Sequence, residues 1–188
     1  MNSYGLPDAG NILHWAICLI IALPLNHGVA AQEEVEDNTM FWSTTLKMIR
    51  AKFPGVAQLS TDSLQTWLDE SGQAERPLLL DVRGPEEYEV SHLRDAIHAL
   101  TKKQAVQALE GSSPARPVVL YCSVGYRSSE MADYLAKKGF RKVYNLEGSI
   151  FAWANEGHPV FRGDEQVQTV HPYDRVWGKL LKKALRAR

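Results

Sequence analysis

The sequence predicts an α/β fold: a central, mostly parallel sheet with helices on both faces. Two runs, Leu78-Leu79-Leu80-Asp81-Val82 and Pro117-Val118-Val119-Leu120-Tyr121, are short, apolar and bounded by breakers, as strands buried on both faces are. Stretches with helical spacing alternate with these runs. Turn residues separate the elements, among them Gly72, Pro77, Gly111, Gly139, Gly157 and Pro159.

Taken in order, Ser60 or Thr61 caps a helix whose Leu64, Trp67 and Leu68 form an apolar stripe. Gly72 and Pro77 bracket the turn into the strand that begins at Leu78. Pro85 to Ser91 reads as a short helix and Ala96-Ile97-His98-Ala99-Leu100 as a strand. Lys102 to Leu109 is helical in pattern and stops at Gly111. The run 117–121 is the clearest strand, β-rich and continuous. Ser128 to Lys138 then reads as a helix with Met131 and Leu135 inward and Gly139 as its C-terminal stop. Val143-Tyr144-Asn145-Leu146 is a further strand, and Ile150 to Glu156 a final helix.

The length of 188 residues fits one domain with extensions. The net charge of −1 gives no support for a nucleic-acid partner. Neither a phosphate-binding glycine fingerprint nor an internal repeat is visible. Four regions follow from the pattern: a signal peptide over 1–31, an N-terminal extension over 32–52, the domain over 53–161, and a basic amphipathic extension over 162–188. The leader rests on Trp15 to Leu25, an apolar run shorter than the roughly 20 residues a bilayer needs. Small residues Val29 and Ala31 follow and place a cleavage site after Ala31. This points to export, to the periplasm. Met1 to His14 has no Lys or Arg, so a membrane anchor formed by residues 12–25 is the alternative. Of two cysteines, Cys18 lies in the leader, which leaves Cys122 as the only thiol of a cleaved chain. At the far end, Trp177, Leu180, Leu181 and Leu185 share a helical face opposite several lysines and arginines. That pattern predicts a terminal helix packed on the domain, or one touching a membrane surface or a protein partner.

Cys122 directly follows the strongest strand, and a helix is expected about six residues later. Ligands gather at the carboxyl ends of strands in open α/β sheets, and helix starts leave N–H groups free for anions. A thiol held there is biased towards thiolate, and Arg127 adds a permanent cation. Gly125 lets the backbone curl. The loop Cys122-Ser123-Val124-Gly125-Tyr126-Arg127-Ser128 therefore reads as a cup for a reactive sulfur anion, rather than the setting of an inert buried cysteine.

Three segments resemble the rhodanese family. Leu79-Leu80-Asp81-Val82-Arg83 with Glu86, Tyr88 and His92-Leu93 is similar to its first signature. Cys122 to Ser128 is similar to its catalytic loop, and Asn145-Leu146-Glu147-Gly148-Ser149 with Trp153 to its closing segment. The resemblance implies a rhodanese-like fold and a single-domain sulfurtransferase of the thiosulfate type. It implies a persulfide on Cys122, formed from a small anionic donor such as thiosulfate and passed to cyanide or a thiol. Backbone N–H groups from Ser123 through Ser128 would hold the sulfur anion and the donor's charge. Arg127 would orient the donor or buttress the loop. No metal or organic cofactor is implied. Asp81 and Arg83 are supporting residues near the loop: Asp81 as an anchor for loop backbone or a hydroxyl, Arg83 in an ion pair with Glu86 or Glu87. His92 reads as structural. The stretch Ser91-His92-Leu93-Arg94-Asp95-Ala96 departs from the family's Gly-His-Ile-Pro-Gly-Ala and predicts an altered surface turn.

Two rival readings differ in testable ways. Phosphatase-type loops place the arginine six positions after the cysteine, making a cradle for a tetrahedral oxyanion; here it is five, and position six is Ser128. A non-catalytic or carrier module, delivering sulfur to a specific protein or merely binding one, would look the same in sequence.

Overall fold

The computed structural model describes residues 27–72, 76–113 and 115–188, with side chains described from Asn38 onward. The apolar run read as a leader or anchor lies outside the described residues. Among those described, no helix is long and apolar enough to cross a membrane. The elements are α1 (His27–Lys52), β1 (Ala57–Leu59), α2 (Thr61–Glu70), β2 (Leu78–Asp81), α3 (Pro85–Val90), β3 (Ile97–His98) and α4 (Lys102–Ala108). They continue with β4 (Val118–Tyr121), α5 (Tyr126–Lys137), β5 (Val143–Leu146), α6 (Ser149–Asn155), β6 (Val160–Arg162) and β7 (Glu165–Val167).

β1 to β5 form one sheet in the order β1-β5-β4-β2-β3, every pairing parallel. β4 lies at its centre with all four residues buried, which is why its sequence is apolar without alternation. Alternate side chains divide between two cores. Leu79, Val119 and Tyr121 pack with Leu64, Ile150, Phe151 and Trp153 on one face. Leu80, Val118 and Leu120 pack with Leu109, Met131 and Leu135 on the other. β6 and β7 form an antiparallel ribbon, tied to the stretch between α3 and β3 by reciprocal backbone bonds between His92 and Phe161.

The α/β prediction with helices around a parallel sheet therefore holds, with shifts at element ends. Ser60 is the N-cap of α2, its hydroxyl accepting the Ser63 N–H at 3.1 Å. The turn at 91–96 closes with the Ala96 N–H on Leu93 O at 3.2 Å, and Asp95 adopts φ 60° where glycine would be unstrained. Two differences are larger. α1 was read only as an extension, yet Phe41 and Trp42 pack against the core and Ile49 is buried within it. The expected terminal helix over 177–188 is instead two short 3₁₀ turns, Trp177–Leu180 and Lys183–Leu185. Asn155 explains the break: its amide donates to Leu180 O and its carbonyl oxygen accepts the Lys182 N–H, so tertiary bonds replace the helical ladder. Leu180 and Leu181 are fully buried, so the apolar face faces the domain.

Candidate active site

Cys122 stands at the carboxyl end of β4, at the point where the chain turns into α5. The helix starts at Tyr126, two residues before the expected Ser128, because Gly125 at φ 114° turns the chain sharply enough to cap it. A side chain at Gly125 would place its Cβ 3.2 Å from Asn145 Nδ2, in a backbone conformation that L residues avoid. Position 125 therefore requires glycine on two independent grounds.

The floor of the loop is pinned from α6. The Ile150 N–H donates to Cys122 O (3.2 Å) and the Phe151 N–H to Ser123 O (3.1 Å), so the free donors of a helix start hold the strand end. The Cys122 N–H donates to Ser149 Oγ at 3.1 Å. These bonds give a structural meaning to the closing segment 145–149 found in sequence.

The sulfur atom itself is almost fully enclosed, with Cys122 1% exposed. The Gly125 N–H points at Sγ from 3.2 Å. The Ser128 hydroxyl lies 3.5 Å from Sγ and 2.6 Å from Asn145 Oδ1, so its one proton is shared between the two. Asn145 is oriented in turn by the bond from its Nδ2 to Gln58 Oε1 at 2.7 Å. Burial pushes the Cys122 thiol up. The Arg127 charge and the bonds from Ser128 and Gly125 outweigh it, and the net shift is below the ordinary thiol value.

Arg127 owes its position to a residue that sequence reasoning did not place in the site. Glu87, 1% exposed on α3, accepts Arg127 Nη1 at 2.7 Å and Nη2 at 2.8 Å in a two-pronged pair. It also accepts the Ser123 hydroxyl at 2.6 Å and the Gly84 N–H at 2.9 Å. Burial alone would raise the Glu87 carboxyl; Arg127, Ser123 and Gly84 together hold it below the usual carboxylate value. Glu87 thus buttresses the loop from a neighbouring strand–helix turn. The only signal for it in sequence was a carboxylate two residues past the Pro85 that starts α3.

The two supporting residues do something other than expected. Arg83 pairs with Asp81, not with Glu86 or Glu87: Nη2 is 2.6 Å from Asp81 Oδ2, both side chains are fully buried, and Nη2 also donates to Ser91 O. Asp81 accepts the Arg83 backbone N–H at 3.0 Å, so it anchors backbone, but of the 83 turn rather than the 122–128 loop. A residue directly after a strand end can fold back on the strand's last carboxylate, and that local pairing wins. His92 is structural, donating from Nδ1 to Leu93 O and accepting the Gly163 N–H at Nε2. The remaining loop residues divide by direction. Val124 is buried in the core, whereas Tyr126 is 38% exposed at the rim, edge-on to Phe53 at 5.3 Å. Together these parts surround a thiol of lowered pKa with N–H and O–H donors, a cation on its own loop and an exposed aromatic side chain.

The chain is similar to known proteins. Residues 60–156 match the rhodanese-like domain. A thiosulfate sulfurtransferase, GlpE, of Vibrio cholerae is 34% identical over 82 residues, covering 44% of this chain and 76% of the relative. A sulfurtransferase of Allochromatium vinosum is 33% identical over 105 residues, 56% of this chain and 94% of the relative. Among solved structures, the polysulfide-sulfur transferase homodimer of Wolinella succinogenes superposes with a TM-score of 0.50 at 27% identity, over 63% of this chain and 88% of that one.

Proposed function

Because the chain belongs to the rhodanese-like domain family and its relatives are sulfurtransferases, we propose that Cys122 carries a sulfane sulfur as a persulfide between a thiosulfate-like donor and a thiophilic acceptor. Sulfur transfer is the reaction class of the family members it matches. The observation that carries the finer reading is the Cys122 sulfur itself: a thiol held below its ordinary value, with an N–H aimed at it and a cation fixed nearby. In the first half-reaction the Cys122 thiolate attacks the outer sulfur of the donor. The new S–S bond forms as the donor's own S–S bond breaks, and sulfite leaves with the electron pair. The acceptor then attacks the outer sulfur of the persulfide and returns the pair to Cys122. The loop's N–H groups stabilise negative sulfur in both steps, in the way an oxyanion hole serves oxygen.

The test is thiosulfate:cyanide turnover by the purified chain. Wild type turns over and Cys122→Ser does not; equal inertness of the two would leave the binding-module reading standing. A carrier reading predicts instead that Cys122 is loaded by thiosulfate but unloaded only by a particular protein. Phosphatase chemistry is disfavoured by Arg127, whose guanidinium is engaged by Glu87 rather than turned to a tetrahedral oxyanion. We also propose that residues 1–31 are an export leader, on the apolar run 15–25 and the small residues Val29 and Ala31; N-terminal sequencing of the protein from its native host tests this by showing cleavage after Ala31 or an intact start.

A further inference from the structure

The C-terminal segment lies outside the matched residues 60–156, yet it reaches the sulfur loop. The Tyr173 ring covers the Arg127 guanidinium at 4.7 Å, while Arg127 is held edge-on by Glu87. Tyr173 is 46% exposed and takes a left-handed backbone, φ 64°, which a bulky aromatic residue rarely adopts. The conformation is fixed on both sides: the Tyr173 N–H donates to His171 Nδ1, and the Asp174 N–H to Pro172 O. Strain of this kind, maintained beside a reactive group, points to a use for the side chain it presents.

Tyr173 also lines a surface hollow of about 480 Å³ shared with Val90, His171, Arg175, Arg186 and Arg188. Among the described residues, none of these three arginines has a carboxylate in ion-pair range. Asp174, the acid in the wall, accepts the Val176 and Trp177 N–H groups through Oδ1. The hollow is therefore lined by three arginines against one aspartate, and Tyr173 joins it to Arg127. Thiosulfate and cyanide are too small to use it. A substrate that has its sulfur at Cys122 and anionic groups beyond Tyr173 would use both.

We infer that the segment 171–188 forms a second anion subsite for the sulfur acceptor, so that the preferred acceptor is a small thiol bearing two or more carboxylate or phosphate charges. Guanidinium forks bind either group in the same way. The inference rests on the sulfur-transfer reading above. The acceptor thiolate attacks the outer sulfur of the Cys122 persulfide, the acceptor's S–S bond forms as the Cys122 S–S bond breaks, and Cys122 leaves as thiolate. The outer sulfur takes up the proton that the acceptor thiol gives up on becoming thiolate and carries it away in the product, and no oxidant is needed.

The full chain is loaded with thiosulfate, and kcat/KM is measured for 2-mercaptoethanol, mercaptosuccinate and coenzyme A. In Arg175→Ala/Arg188→Ala, kcat/KM falls roughly tenfold more for at least one of the two polyanionic thiols than for 2-mercaptoethanol, and added salt erodes the wild-type preference. Whichever thiol loses more identifies the anionic group. Lys103→Ala/Lys142→Ala, an equal change of charge elsewhere, leaves the preference intact. Equal losses on all three thiols, or the same loss in the lysine variant, would overturn the subsite. A second readout needs no turnover: succinate and 3′-phosphoadenosine 5′-phosphate are titrated into ¹⁵N-labelled Cys122→Ser. One of them shifts the amides of 171, 173–175 and 186–188, and does not in Cys122→Ser/Arg175→Ala/Arg188→Ala. Shifts there without any sulfur turnover would refute the sulfurtransferase reading and keep the subsite; turnover without shifts would do the reverse.

Discussion

At the scale of single residues, burial raises the Cys122 thiol, and the Arg127 charge with the bonds from Ser128 and Gly125 brings it below its ordinary value. Arg127 supplies charge, but Glu87 decides where that charge sits. Removing Glu87 leaves a partly buried guanidinium without its partner. Glu87→Ala should therefore destabilise the fold by about 2 kcal/mol, less than for a wholly buried pair because Arg127 is 32% exposed. It should also lower turnover, by detaching Ser123 and Arg127 from the loop wall; chemical denaturation and steady-state rates read the two effects separately. Glu87 is held below the ordinary carboxylate range, so its contribution is complete at neutral pH and lost as the pH falls through that lowered value. Glu87→Gln should accordingly show a flatter loss of stability in acid. The Cys122 thiol is likewise lowered, so loading by thiosulfate rises with pH through a midpoint below the ordinary thiol value. Arg127→Met should move that midpoint upwards; an unmoved midpoint would mean Arg127 does not act on the sulfur. Cys122, Gly125 and Ser128 were legible in sequence because each has a local chemical reason to be there. Glu87 was not, because its partners Ser123 and Arg127 lie 36 and 40 residues away, and only the parallel pairing of β2 with β4 brings them together.

At the scale of elements, the strands and helices that bury a continuous apolar run or stripe were readable, β4 above all. β3 was read as a strand over Ala96 to Leu100, though only Ile97–His98 pairs. β1, three residues of mixed burial, was not read, because tertiary pairing rather than pattern makes it a strand. α1 carries its buried Thr45 and Ile49 one turn apart, but among many polar positions. It nevertheless reaches the site: Ile49 Cδ1 lies 3.7 Å from where a Gly125 Cβ would be, and Arg50 forms a two-pronged pair with Glu147 at 2.6 and 2.7 Å. These two contacts differ in worth. Ile49→Ala empties a buried position and should cost about 2–4 kcal/mol, whereas Arg50→Ala breaks an exposed pair and should cost less than about 1 kcal/mol. Thermal melts of the two variants test that order. Gly125→Ala should fold with a distorted loop and lose sulfur loading, since the clash falls on Asn145, which orients Ser128.

At the scale of the whole molecule, the two extensions close over the domain and touch each other, with Phe41 of α1 stacked on Trp177 at 5.7 Å. Sequence divided the chain at 53 and 161, where the alternation of strand and helix ends; packing continues on both sides, through Ile49 on one and Val170, Leu180 and Leu181 on the other. A chain cut to 53–161 should therefore melt well below the full chain, each lost buried leucine removing about 2–5 kcal/mol. A chain lacking only residues 1–31 keeps all of these contacts and should melt with the full chain. The central claim concerns the atom that the whole fold surrounds, and intact-mass spectrometry after brief exposure to thiosulfate tests it most directly. The account predicts a gain of one sulfur atom, removed by cyanide and absent in Cys122→Ser. An unchanged mass in wild type, or the same gain in Cys122→Ser, would contradict it.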